Sequence, residues 1–269
     1  MAVTDITLTP GMRSNLISLQ GTVELLNRTQ ERLASGKKVN SPLDNATNYF
    51  VAKSHLDRAS DLAVRKDGMS EAIQTVKAAN EGIDAIQQLI ESAKGLAQSA
   101  YSAGTTAQTT LQDQYDNVVA QIDNIATDSI YKGTNLLGGD TLTVTFNEDG
   151  SSSLDIVGFD ASSDGDLAIS AGDFSSTNAI GAAIAELDGA LETLRTNASA
   201  LSAAMNVVTT RNEFTDGMVN VLSAGADALT AADTNEEGAN MLMLQVRQAL
   251  GTTALSLSAQ AAQSVLRLF

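Results

Sequence analysis

The stretch IGAAIAELDGALETLRTNASALSAAMNVVTTRNEFTDGMVNVLSAGADAL, residues 180–229, decides the fold. Ile180, Ile184, Leu187, Leu191, Leu194, Ala198, Leu201, Met205, Val208, Asn212, Thr215, Val219, Leu222, Ala226 and Leu229 follow one another by alternating steps of four and three. Only Asn212 and Thr215 are polar. A strict seven-residue period keeps one face of a helix turned toward a partner helix and implies a left-handed supercoil. At ~1.5 Å per residue, a helix over 178–230 is roughly 80 Å long, so its partner must be long as well.

That partner lies upstream. Residues 42 to about 100 are expected to form a helix with no proline after its first residue, whose apolar positions are Met69, Ile73, Val76, Ala79, Ile83, Ile86, Ile90, Ala93 and Ala97, again in steps of three and four. Gly68, Gly82 and Gly95 weaken it slightly. The chain's two prolines, Pro10 and Pro42, both stand where a helix would begin, where a missing N–H costs nothing. Thr9 and Ser41 are placed as caps, with Asp44 as the acidic partner of Ser41. Gly36 is placed to end the first helix, at 10–35, in a left-handed turn. Residues 102–110 (SAGTTAQTT) read as a loop, followed by a third helix carrying Leu111, Tyr115, Val118, Ile122 and Ile125. Between 131 and 176 Gly, Asp and Ser accumulate. Alternation of Leu142, Val144 and Phe146, a turn-like Asn147–Ser151, then Leu154 and Ile156 predict a β-hairpin at about 140–158. A last helix should start near Thr234, with Thr234 and Glu237 as a capping box.

Both ends of the chain are amphipathic. Met12, Leu16, Leu19, Val23, Leu26 and Leu33 form one stripe; Leu242, Val246, Leu250, Ala254, Leu257, Ala261, Val265 and Leu268 form the other. Ends are ordinarily polar and loose, so these ends are built to be buried. The stripes are expected to face each other within a subunit and to supply contacts between subunits. The C-terminal stripe averages closer to 3.6 residues per turn and should wind less. The expected fold is mainly α: long antiparallel coiled-coil helices, one small β-hairpin, and paired N- and C-terminal helices. Its expected division is 1–41 with 230–269, and 42–229.

Composition limits function. A net charge of −16 disfavours nucleic acid and anionic membranes. Aromatic residues make up 4% with no Trp, which suits a thin aliphatic core between long helices. There is no Cys, so disulfide, thiolate-metal and thiol chemistry are excluded. Residues 1–10 have neither a basic start nor an apolar run, so no Sec-type signal peptide is expected, and no stretch approaches the ~18 apolar residues of a membrane span. His55 stands alone within a helical segment and fits a structural role. Ser35-Gly36-Lys37 lacks the earlier glycine of a phosphate loop. Asp160, Asp164 and Asp166 do not have calcium-loop spacing and read as a solvated loop. Sequons at Asn27, Asn45 and Asn197 all fall in predicted helices. No catalytic constellation and no cofactor site emerge, and an interaction protein rather than an enzyme is expected.

Several segments resemble the bacterial flagellins. Leu33-Ala-Ser-Gly-Lys-Lys-Val-Asn-Ser-Pro-Leu-Asp-Asn-Ala46, preceded by Thr29-Gln-Glu-Arg32, is similar to the family's N-terminal signature. Ile130-Tyr-Lys-Gly-Thr-Asn-Leu-Leu137 resembles its turn into the hairpin, Arg211-Asn-Glu-Phe214 a stretch of its returning helix, and Gln248–Phe269, closing in Ser264-Val-Leu-Arg-Leu-Phe269, its C-terminus. The resemblance implies a subunit of the extracellular flagellar filament used for swimming. Terminal helices would form the inner tube and the long-helix region the outer tube. It further implies type III export without signal cleavage, a cytosolic chaperone on the C-terminal helix, and junction and cap proteins as partners. The short middle, with about 20 residues between hairpin and returning helix, implies a minimal form. The run Ile90-Glu-Ser-Ala-Lys-Gly-Leu96 departs from the Leu-Gln-Arg-x-Arg-Glu-Leu motif of flagellins sensed by the animal Toll-like receptor. Ser92 stands for the first Arg, Lys94 for the second and Gly95 for the Glu, as in the alphaproteobacterial branch. A hook–filament junction protein is the alternative within the superfamily. A coiled-coil scaffold unrelated to flagella would leave the 33–46 signature unexplained, and an enzyme set into 131–176 lacks a metal or nucleophile cluster.

Overall fold

The computed structural model of the chain describes residues 10–266, with side chains as far as Ser264. Thr9, Leu268 and the side chain of Val265 lie outside the described residues. Among the described residues there are five α-helices and one hairpin: α1 Pro10–Ser35, α2 Ala46–Tyr101, α3 Thr105–Asp128, β1 Thr141–Thr145, β2 Ser153–Val157, α4 Thr177–Thr230 and α5 Thr234–Leu266. The chain divides into two compact units, Met1–Asp57 with Val221–Phe269, and Arg58–Asn220. The sequence reading placed its boundaries at 41/42 and 229/230. Helices α2 and α4 contribute to both units.

In the second unit α2 and α4 run antiparallel. Lys66 ion-pairs with Asp216, and Lys94 with Asp188, so an advance of 28 residues along α2 matches a retreat of 28 along α4. No residue slips between the two pairs, as a shared seven-residue period requires. Ile180, Leu187, Leu191, Leu194, Leu201 and Val208 of α4 are buried with Met69, Val76, Ile83, Ile86 and Ile90 of α2. The polar Asn212 is satisfied across the seam: its side-chain amide donates to the Lys66 carbonyl at 3.1 Å and to Ser70 Oγ at 3.2 Å. Tyr115, Val119, Ile122 and Ala126 of α3 complete the helical core.

The hairpin is antiparallel, with Leu142 opposite Ile156 and Val144 opposite Leu154. Val144, Phe146 and Ile156 point into the core. The loop 158–176 is pinned rather than free. Phe159 and Ala161 donate backbone hydrogen bonds to the carbonyls of Leu136 and Leu137, both at 2.8 Å. Asp123 accepts from the Ser163 amide (2.6 Å) and hydroxyl (3.0 Å), and Asp116 accepts from the Gly172 amide at 2.7 Å. Asp160 and Asp166 turn inward on the loop's own backbone, accepting from the amides of Ser162 and Asp160. Hydrogen bonds from Ser162 hold the Asp160 carboxyl below the usual carboxylate range.

In the first unit α1 and α5 pack together antiparallel. Arg32 pairs with the buried Glu237 at 3.1 Å, and a Cβ on Gly251 would lie 2.9 Å from Leu19 Cδ1. The connectors are laced to each other. The amides of Lys38 and Val39 donate to the Thr230 carbonyl (2.7 and 3.3 Å), and the Ala232 amide donates to the Gly36 carbonyl (2.9 Å). Gly36 has φ +67°, the left-handed conformation expected at the end of α1.

Three local expectations differ. Helix α2 starts at Ala46, not Pro42. Residues 41–44 form a turn in which Asp44 accepts from Ser41 N at 3.0 Å, and Asn45 Oδ1 caps the helix by accepting from Asn48 N at 3.0 Å. Helix α3 already starts at Thr105, because Thr109 and Thr110 turn their hydroxyls back onto the carbonyls of Thr105 and Thr106 instead of breaking the helix. Asp233, not Thr234, caps α5, accepting from the amides of Asn235 and Glu236 at 2.9 and 3.2 Å, which leaves Glu237 for Arg32.

Candidate self-assembly surface

The terminal stripes are the candidate site, and they are disposed unequally. On α1, Met12, Leu16, Leu19, Val23 and Leu26 are half-buried against α5, and the line continues through the buried Thr29 and the pairing Arg32 rather than through the exposed Leu33. A second apolar face of α1, Ile17 and Leu25, is open to solvent.

Helices α1 and α5 pair as expected, but not through the expected stripe of α5. Leu242, Val246, Leu250 and Leu257 are each 59–68% exposed, and Ala254 and Ala261 are exposed with them. The face that meets α1 is a different stripe: Glu237, Met241, Leu244, Gln248, Gly251, Leu255, Ser258 and Ala262. It also steps by four and three, but five of its eight members are small or polar, and only Leu244 and Glu237 are buried. Small side chains at Gly251 and Ser258 let two backbones approach closely. The pairing of α1 and α5 therefore uses the weaker stripe and leaves the stronger one in water. Exposed contiguous apolar surface of this kind marks an interaction site.

Ser92 and Gly95 are exposed on α2, and a Cβ at Gly95 would meet nothing. Lys94 is engaged by Asp188 across the helix pair. Among the described residues no group of three or more His, Cys, Asp or Glu could hold a metal ion, and no helix is long and apolar enough to cross a membrane. His55 packs beside Gly225. Sequence reasoning missed two things: the α1-facing stripe of α5, whose only strong apolar members are Met241, Leu244 and Leu255, and the buried Arg32–Glu237 pair, for which the capping-box reading of Glu237 competed.

Long helices in strict register, carrying an unpaired apolar face, define a self-associating structural class. Residues 12–141 match the bacterial flagellin N-terminal helical region, and residues 184–269 match the bacterial flagellin C-terminal helical region. The chain is 30% identical to Flagellin FljK of Caulobacter vibrioides and 28% identical to Flagellin FljM of the same organism, each alignment covering both chains completely. It is 30% identical to a flagellin of Brucella melitensis over 94% of this chain and 95% of that one. The chain belongs to the bacterial flagellin family, whose members polymerise into the flagellar filament that drives swimming.

Proposed function

We propose that the exposed α5 stripe, Leu242, Val246, Leu250, Ala254, Leu257 and Ala261, with Val265 and Leu268 beyond it, forms the principal contact between neighbouring subunits of the filament core. Met12, Leu16, Leu19, Val23, Leu26 and Leu33 of α1 complete it. The observation that carries this reading is that the most apolar face of α5 is turned away from its own subunit. Residues 1–41 and 230–269 then line the inner tube, and 42–229 the outer tube. The protein leaves the cell by type III export without a cleaved signal. An export chaperone covers the α5 stripe beforehand, because that surface would aggregate in a free monomer. Junction and cap proteins meet the filament at its two ends. The role is structural and involves no catalysis.

The test is assembly itself. Purified monomer, seeded or salted, should give long filaments of uniform diameter by negative stain. A chain truncated to remove 235–269 should stay soluble and helical without polymerising. Normal assembly of the truncated chain would remove the role given to α5. At the receptor motif, Ser92 and Gly95 offer a hydroxyl and bare backbone where a planar, five-donor guanidinium and a carboxylate would be needed. Stimulation of receptor-bearing reporter cells is expected to be at least tenfold weaker than by a receptor-competent flagellin, and an equal response would overturn this.

A further inference from the structure

Where the tip of the hairpin meets α2 and α4, within 58–220, there is a hollow of about 260 Å³. Leu62, Phe146, Phe214 and Met218 give it an apolar wall. Arg58, Glu148, Arg211 and Thr215 bring polar groups to the same space. On α4 the lining residues Arg211, Phe214, Thr215 and Met218 follow by three, one and three, which sets them on one face of the helix. Leu62 and Phe146 are buried, and Phe214 stands exposed.

Two polar groups here are left unsatisfied. Thr215 is 3% exposed. Thr193, Thr209, Thr210 and Thr230 of the same helix turn their hydroxyls back onto the carbonyls four residues earlier. Thr215 does not, and its hydroxyl makes no hydrogen bond among the described residues. A buried hydroxyl without a partner is costly, and the hollow that Thr215 lines is where a partner can enter. Arg211 holds its guanidinium over the Phe146 ring, 5.2 Å from the centroid, and pairs with no carboxylate among the described residues. Arg58, by contrast, is taken by Glu148 at 2.7 Å. Glu213 lies roughly 200° round α4 from Arg211, and Asp216 pairs with Lys66. One uncompensated positive charge therefore faces an apolar hollow in a chain of net charge −16.

These features specify a ligand. A guanidinium stacked on a ring keeps its edge donors free and matches a planar carboxylate bidentately. The nearby Glu148 carboxylate disfavours a doubly charged anion such as phosphate. The apolar wall calls for an apolar body. We infer that this hollow binds a small amphipathic monocarboxylate, one ring or one branched chain carrying a single negative charge. Arg211 pairs with the carboxylate, the Thr215 hydroxyl donates to it, and Leu62, Phe214 and Met218 cover the body, the usual division of labour in a small-molecule site. The site lies within one subunit and does not depend on the polymerising role.

The test uses the full chain as a monomer and para-fluorophenylacetate as the probe, followed by fluorine NMR. Saturable binding in the millimolar range is expected, with magnetisation transfer between the probe and the Met218 methyl. The uncharged amide of the probe, equal in shape, should bind at least tenfold more weakly. Arg211→Gln should lose affinity at least tenfold, and the isosteric Thr215→Val at least threefold, both with unchanged helical circular dichroism. Leu250→Asp, on the exposed α5 stripe, should leave binding as it is. Broadening that never saturates, equal binding of the amide, or undiminished affinity in Arg211→Gln overturns the site. Loss of binding in Leu250→Asp would place the probe on α5 and overturn it as well. If Arg211→Gln does not fold, undiminished affinity in Thr215→Val or absence of transfer to Met218 overturns the site in its place. A chain that never polymerises removes the functional reading and leaves each of these outcomes readable.

Discussion

At the scale of single residues, Tyr115 is the most informative side chain. It is fully buried, edge-to-face with Phe174 at 5.4 Å, and its hydroxyl finds no hydrogen-bond partner among the described residues. Burial, with the nearby carboxylates of Glu186 and Asp116, pushes its pKa up to about 12. Its folded value lies above its unfolded one, so the stability linked to it is complete below about pH 10 and is lost as pH rises toward 12. Tyr115→Phe should therefore raise stability by about 1 kcal/mol, by removing an unpaired polar atom, and should flatten the loss between pH 10 and 12 in urea melts. Asp44 behaves oppositely. The Ser41 backbone bond and its companions lower its pKa, so its contribution is present above about pH 4 and fades as pH falls. Asp44→Asn should lower the amide protection factors of the 40–45 turn at pH 7 to those of the parent at pH 3. Gly158 has no room for a side chain: a Cβ would lie 2.3 Å from the Leu136 carbonyl oxygen and 2.5 Å from that of Asp140. Both carbonyls are already fixed by hydrogen bonds from 158–159. Gly158→Ala should cost about 3 kcal/mol in a denaturant titration.

At the scale of elements, α5 separates subunit stability from assembly. Leu244 is 5% exposed and belongs to its own subunit, so Leu244→Ala should destabilise the α1–α5 pair by about 2 kcal/mol, visible in hydrogen exchange. Leu250 is exposed, so Leu250→Asp should leave monomer stability within about 0.5 kcal/mol while abolishing sedimentable filament. Reversal of these two outcomes would exchange the faces. The same helix marks the limit of what sequence tells. The α4 stripe was legible throughout, since all its positions from Ile180 to Leu229 are buried or half-buried; there the strongest stripe and the intrachain core coincide. On α5 they do not: the strongest stripe is exposed, and pairing within one chain is set by close fit at Gly251 and by the Arg32–Glu237 pair. Helix starts were displaced for a smaller reason. Asn45, four residues after Ser41, and Asp233, one before Thr234, take the first free amides, a choice between nearby polar residues that spacing alone does not make.

At the scale of the whole molecule, charge and periodicity govern assembly together. Copies of net charge −16 repel, and raising NaCl from about 10 to 150 mM shortens the screening length from roughly 30 to 8 Å. The critical concentration should fall severalfold over that range when pelleted filament is measured, and an unchanged value would mean that contacts do not bring like charges together. The spacing that joins Lys66 to Asp216 and Lys94 to Asp188 also constrains descent. Loss of one residue between 66 and 94 would turn everything beyond it by ~100° and carry Lys94 off the facing helix. Length can drift neutrally in the helices only by sevens, taken from both at once. The turn between Asn147 and Ser152 has no such rule, so a library of small in-frame insertions selected for swimming should fill that turn and leave 66–94 almost untouched. Lineages of this protein would then differ in what they show at the hairpin tip while their rods keep the same count.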